Sequence, residues 1–115
     1  MLIDITQLQI YIRPGITDMR KAINGLSILV QDEMDLDPFG ESVFIFCNRQ
    51  RKILKAIYWD RNGFCLWQKK LEKHKFPWPD TEEAVKQLNQ DELLMLLKGI
   101  DFWSAHTELK YSQVS

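Results

Sequence analysis

Near the start of the chain, Leu8, Ile10 and Ile12 alternate with Gln7, Gln9 and Tyr11, the period of two required by a strand with one buried face. Arg13-Pro14-Gly15 ends that run. The period then changes. Met19, Ala22, Ile23, Leu26 and Val30 recur at helical spacing, with Arg20, Asn24, Ser27 and Gln31 on the opposite face, and predict an amphipathic helix over 18–34 lying on a sheet. Thr17 is placed to cap it and Asp18 to meet its positive end. Gly25, which in mid-helix costs about 1 kcal/mol relative to Ala, is expected where helix and sheet come close.

DLDPFGES, residues 35–42, reads as a loop from its Asp-Pro and Gly. VFIFCN and ILKAIYWD follow, rich in β-branched and aromatic residues and separated by the basic turn Arg49-Gln50-Arg51-Lys52. Asn62-Gly63 then signals a second hairpin, since both central residues of a type I′ turn need positive φ, and FCLWQKKLEK forms its return strand. The pattern therefore predicts an antiparallel β-meander over 43–72. Further on, Asn89 and Glu92 have capping-box spacing, Leu93, Leu94, Leu96 and Leu97 supply an apolar face, and Gly99 is placed as a stop. They predict a short helix over 90–98. The fold class is α+β, one domain over 1–115, with a polar, aperiodic tail at 104–115 that is loosely ordered or held by a partner.

A length of 115 residues with 45% hydrophobic side chains is enough for a real core. No apolar run reaches the roughly 20 residues of a spanning helix, and MLIDITQLQ lacks the features of a signal peptide, so the expected location is cytoplasmic and off the membrane. Cys47 and Cys65 lie in strand-like runs without metal-ligand spacing, which suits free buried thiols.

Charge changes the picture. The formal net charge is -1, yet residues 49–75 hold nine Lys/Arg against two Asp/Glu, while the segments on either side each hold three against seven. The nine are Arg49, Arg51, Lys52, Lys55, Arg61, Lys69, Lys70, Lys73 and Lys75. Such a cluster creates a local positive face on a slightly acidic molecule. On the meander, Arg49, Arg51 and Lys52 fall at one end, Arg61 at the other, and the lysines run out of the third strand. These nine are the candidate nucleic-acid-binding residues, since bases on such a ribbon neutralise phosphates and release counterions. Trp67, Phe76 and Trp78 would add stacking on unpaired bases if exposed. The aromatics read first as core, since Tyr58, Trp59, Phe64 and Trp67 lie in a dense apolar meander that a helix must cover, and the lysines serve as well for solvation of an edge strand. On the first helix, Arg20 and Lys21 either extend the basic surface or simply solvate a helix face.

Catalytic patterns are weak. His74 and His106 lie in polar surroundings without a recognisable nucleophile. Asp18, Asp60 and Asp101 could serve a metal-dependent nuclease, but helix-start and turn roles account for the first two. No glycine loop cradles phosphate, and the sequence calls for no metal, cofactor or small-molecule substrate.

Four stretches carry a family resemblance: TDMRKAINGL at 17–26, DPFGESVFIF at 37–46, KILKAIYWDRNGFCLWQKKLEKHKFPWP at 52–79 and ELLMLLKGIDF at 92–102. In order and spacing they resemble the TnpB family, small accessory proteins from the second reading frame of insertion sequence 66 type transposable elements. The acidic loop at 80–83 and the tail beyond Trp103 depart from that pattern. The resemblance implies a non-enzymatic component of DNA transposition, working beside a separate transposase that carries the catalytic acids. It implies no active site, and Asp18, Met19, Arg20, Lys21, Trp59 and Asp60 are motif positions without an assigned role. Two functions follow as expectations: DNA binding through the basic meander within a transposase complex, or a protein adaptor that docks the transposase, or another element-encoded protein, without touching DNA.

Overall fold

The computed structural model of the chain describes residues 7–79 and 85–101. The acidic loop at 80–83 and the tail at 104–115 lie outside them. Five strands, β1 (Gln9–Ile12), β2 (Ser42–Cys47), β3 (Ile53–Asp60), β4 (Gly63–Lys70) and β5 (Lys86–Leu88), form one sheet in the order β4-β3-β2-β1-β5. Two helices, α1 (Ile23–Asp32) and α2 (Gln90–Leu97), complete an α+β architecture.

The meander forms as its pattern predicts, with continuous antiparallel register from Val43↔Tyr58 to Cys47↔Leu54 and from Ile53↔Lys70 to Asp60↔Gly63. β1 pairs parallel with β2, the connection passing through α1, and β5 adds antiparallel to the outer side of β1. The sheet is therefore mixed, and β2 is central. Its run Val43 to Cys47 is buried throughout, which explains why it reads as continuously apolar.

The helices cover opposite faces. Ile10, Ile12, Val43, Ile45, Cys47, Leu54, Ala56 and Tyr58 point to one side, where Leu93 and Leu96 of α2 meet Phe76 and Trp78. Phe44, Phe46 and Ile57 point to the other, against Leu26, Leu29 and Val30 of α1 and Met34 beyond it.

α1 departs from its predicted start. Thr17 does not cap a helix: it is buried, its N–H donates to the Cys47 carbonyl at 2.9 Å, and its hydroxyl accepts from Arg13. Asp18 binds Arg20 instead, and Lys55 Nζ donates to the carbonyls of Met19 and Lys21 at 2.8 and 3.1 Å. With those carbonyls committed, the helix begins only at Ile23, after an N-cap, Ala22, that makes no side-chain bond. Gly25 is also not where helix meets sheet. A Cβ there would sit 3.3 Å from the Lys21 stem.

α2 matches its pattern closely. Asn89 and Glu92 form the reciprocal capping box. At the other end Gly99, φ 76°, donates to Leu96 and Ile100 donates to Met95, the Schellman arrangement that satisfies the last carbonyls.

The second hairpin turns one residue earlier than Asn62-Gly63 suggests. Asp60 pairs with Gly63, so Arg61 and Asn62 are the loop, and the positive φ of 54° falls on Arg61.

Candidate nucleic-acid interface

One end of the sheet gathers the bases. The turn after β2 is held by Asn48, whose side-chain oxygen accepts from the N–H groups of Lys52 and Ile53 at 2.9 and 3.0 Å. That turn carries Arg49, Arg51 and Lys52 on its rim. Lys69 and Lys70 leave β4 alongside, opposite Leu54 and Ile53. The segment beyond is tied back to the same turn by Leu71 N–H on the Lys52 carbonyl and Phe76 N–H on the Arg51 carbonyl, at 2.8 and 2.7 Å. Lys73, His74 and Lys75, all exposed, are thereby bracketed against the Arg49–Lys52 rim.

The loop before α1 joins them. Ile16 to Arg20 face Asn48, Arg49 and Gln50 across an open cleft of about 500 Å³. Asp18 chelates Arg20, accepting from its guanidinium at 2.7 to 3.1 Å. Those bonds hold the Asp18 carboxyl down at about 2, below its ordinary 3.8, and raise Arg20 further. The Arg20 side chain remains 91% exposed. The relation of Arg20 and Lys21 to the meander, left open by the sequence, is decided by contacts between residues some 30 positions apart.

Not every candidate shares this surface. Arg61 lies at the far end of the sheet, on the Asp60–Gly63 turn. Lys55 is 9% exposed and spends its ammonium on the carbonyls before α1. Lys69 Nζ donates to the Leu97 carbonyl at 2.7 Å, a cation at the negative end of α2. Arg49, Lys70, Lys73 and Lys75 are exposed.

The aromatics take the core role and not the stacking one. Phe76 and Trp78 are buried, Trp78 donating its indole N–H to the carbonyls of Arg13 and Gly15 at 3.2 and 2.9 Å. Trp67 packs partly buried against the same core. None of the three is presented as a stacking platform. Trp59 and Phe64 hold Phe39 edge-on and tilted at the far end.

Acids populate that far end. Glu41, whose backbone carbonyl accepts from Gln9 N–H, precedes β2, Asp60 flanks the second hairpin turn, and Asp91 and Glu92 open α2. Asp18 and Asp60 are thus at opposite ends of the sheet. Among the described residues, no three His, Cys, Asp or Glu side chains gather as a metal site.

The IS66 Orf2-like protein family model, TnpB_IS66, matches residues 8–107. The chain is similar to two uncharacterized proteins of Sinorhizobium fredii (strain NBRC 101917 / NGR234). It is 35% identical to y4hO over 94 residues, covering 82% of each chain. It is 32% identical to y4jC over 95 residues, covering 83% of this chain and 81% of the relative. No solved structure matches it.

Proposed function

The chain belongs to the IS66 Orf2-like family, accessory proteins of insertion-sequence transposition, and from that premise we propose that it binds the phosphate backbone of duplex DNA with the basic end of its sheet. The observation that carries this reading is the convergence of Arg49, Arg51, Lys70, Lys73 and Lys75 at one end, with Arg20 across the cleft from Arg49, while Glu41, Asp60, Asp91 and Glu92 lie at the other. Lys52, Lys55, Lys69 and Arg61 drop out of the contact set because the three lysines donate to backbone carbonyls and Arg61 is remote. Burial of Phe76 and Trp78 favours duplex over single strands, since stacking platforms are what unpaired bases reward. In this reading the protein contributes binding and leaves strand transfer to the transposase.

Fluorescence anisotropy of labelled duplex at several salt concentrations tests it. Log K is expected to fall with log salt at a slope of about -0.9 per neutralised phosphate. Arg49→Glu, Lys70→Glu and Lys73→Glu together should flatten that slope, and Arg61→Glu should leave it alone. Absence of binding at low salt would overturn the reading. The basic end would then face an acidic protein surface, and a transposase pull-down with the same triple variant becomes the decisive comparison.

A further inference from the structure

The end of the sheet away from the bases carries an aromatic surface that DNA binding leaves unused. Phe39, in the loop between α1 and β2, lies over Trp59 of β3 and Phe64 of β4, with ring centroids 5.1 and 5.3 Å away. It is nonetheless 57% exposed, and Trp59 and Phe64 beneath it are only partly buried. Leu66, two residues along β4 from Phe64 and so on the same face, is 38% exposed and lengthens the strip. The loop that presents Phe39 is firmly held. The Asp37 carboxylate accepts the Phe39 N–H at 2.9 Å, the Asp37 carbonyl accepts the Gly40 N–H at 3.3 Å, and Pro38 is buried. An exposed apolar ring fixed in this way meets a partner at little ordering cost.

Charge defines the partner. Phe39 shares an open cleft of about 350 Å³ with Asp35 and Asp37, both exposed, and Glu41 and Asp60 stand at the same end of the sheet. Among the described residues none of these four carboxylates is in an ion pair, and Arg61, beside Asp60, is the base that neighbours them. Phosphate is repelled there. A guanidinium suits both features, since it stacks on an aromatic face and donates a fork of hydrogen bonds to carboxylates. The chain's remaining segments do not supply one: residues 1–6, 80–84 and 102–115 contain no arginine, a single lysine, Lys110, and five carboxylate side chains. A second copy would have to bring its basic end, a head-to-tail contact that repeats into rings or filaments.

We infer that this surface docks a segment of a partner protein in which an arginine stands next to a large aliphatic side chain. The aliphatic group covers the strip from Phe39 to Leu66, and the guanidinium enters the cleft between the Phe39 ring and the carboxylates of Asp35 and Asp37. Arg49, Lys70 and Lys73 lie at the opposite end of the same strands, so both ends can be occupied at once and the chain becomes a bridge. The docking surface stands independently of what the basic end binds.

A synthetic peptide, acetyl-Gly-Arg-Leu-Leu-Arg-Gly-amide, and its counterpart with glutamates in place of the arginines test the inference by NMR titration of the isotope-labelled full chain. The arginine peptide is expected to shift the Trp59 indole and the Phe39 and Phe64 amides saturably, more weakly as salt rises, and the glutamate peptide to leave them in place. Phe39→Ala should weaken the arginine peptide's binding about tenfold. Asp35→Asn with Asp37→Asn should weaken it about fivefold and keep the loop, because an asparagine oxygen still accepts the Phe39 N–H and asparagine suits the positive φ of 54° at Asp35. Near-ultraviolet circular dichroism checks the fold of each variant. Arg49→Gln with Lys73→Gln should leave peptide affinity unchanged. Equal shifts from both peptides, or none from the arginine peptide at about 10 mM, beyond the weakest affinities of specific recognition, would overturn the inference. So would shifts of the same amides on raising protein concentration alone, which put a second copy on the surface. Nuclear Overhauser contacts from the Phe39 ring to residues 1–6, 80–84 or 102–115 would overturn it too, because the chain then covers the surface itself.

Discussion

Lys55 is a base that packing, more than residue type, defines. In the sequence it counts as one of nine bases in a short segment. Its place in β3, between Leu54 and Ala56 on the buried register, puts it on the α1 side, where its ammonium takes two backbone carbonyls. Replacing it with an uncharged chain of similar length leaves both carbonyls short of a donor. Lys55→Met should therefore cost about 1–3 kcal/mol in denaturant unfolding and leave the salt slope of DNA binding unchanged. Cys47 carries a second residue-scale test. Burial pushes its thiol up to about 12 from 9.0, while Cys65 is only partly buried. A thiol reagent near pH 8 should label Cys65 alone in the native protein and both cysteines after unfolding. The sign of the linkage follows. A thiol whose folded pKa is raised adds stability that is whole below about 9 and is lost as pH climbs toward about 12, so alkaline unfolding should be eased in that window and Cys47→Ala should reduce the pH dependence there.

Among the elements, those governed by near neighbours were legible in the sequence. Asn89, Glu92 and Gly99 act within a few positions of one another, and α2 begins and ends where they say. Asn89→Ala should remove the box and lower stability by about 1 kcal/mol in thermal or denaturant unfolding. The start of α1 was not legible, because Thr17 is captured by Cys47 and the carbonyls of Met19 and Lys21 by Lys55, all distant in sequence. β5 escaped notice for a related reason. Three residues carry too little pattern, and only the neighbouring β1 makes Lys86 to Leu88 a strand. At the second hairpin a two-residue turn forms, but one residue early and with positive φ on Arg61 alone instead of at both central positions as a type I′ turn requires. The displacement puts Arg61 in the left-handed region, φ 54°, where glycine is less strained. Arg61→Gly should stabilise the fold by about 0.5–1 kcal/mol, measured by urea unfolding, and leave duplex affinity unchanged.

For the whole molecule, the net charge of -1 says little about binding, because Arg49, Lys70 and Lys73 lie at one end of the eight-residue strands β3 and β4 and Glu41 and Asp60 at the other, roughly 26 Å apart at about 3.3 Å per residue. Fields between exposed charges fade over about 8 Å at physiological salt. Glu41→Gln with Asp91→Asn raises net charge by two at the acidic end and should leave duplex affinity within about twofold, read by the same anisotropy titration. Arg49→Gln with Lys73→Gln changes charge by the same amount at the other end and should weaken it markedly. The sequence by itself determined the meander, the closing helix and the charge imbalance of residues 49–75, since alternation, turn residues and caps act through neighbours in the chain. Tertiary structure alone decided that β1 runs parallel beside β2, that the helices take opposite faces, and that Arg20 faces Arg49 across a cleft while Lys55 is buried on the carbonyls before α1. Those outcomes depend on which distant backbone groups find partners and which side chains must be buried to let them, and no local pattern encodes that choice.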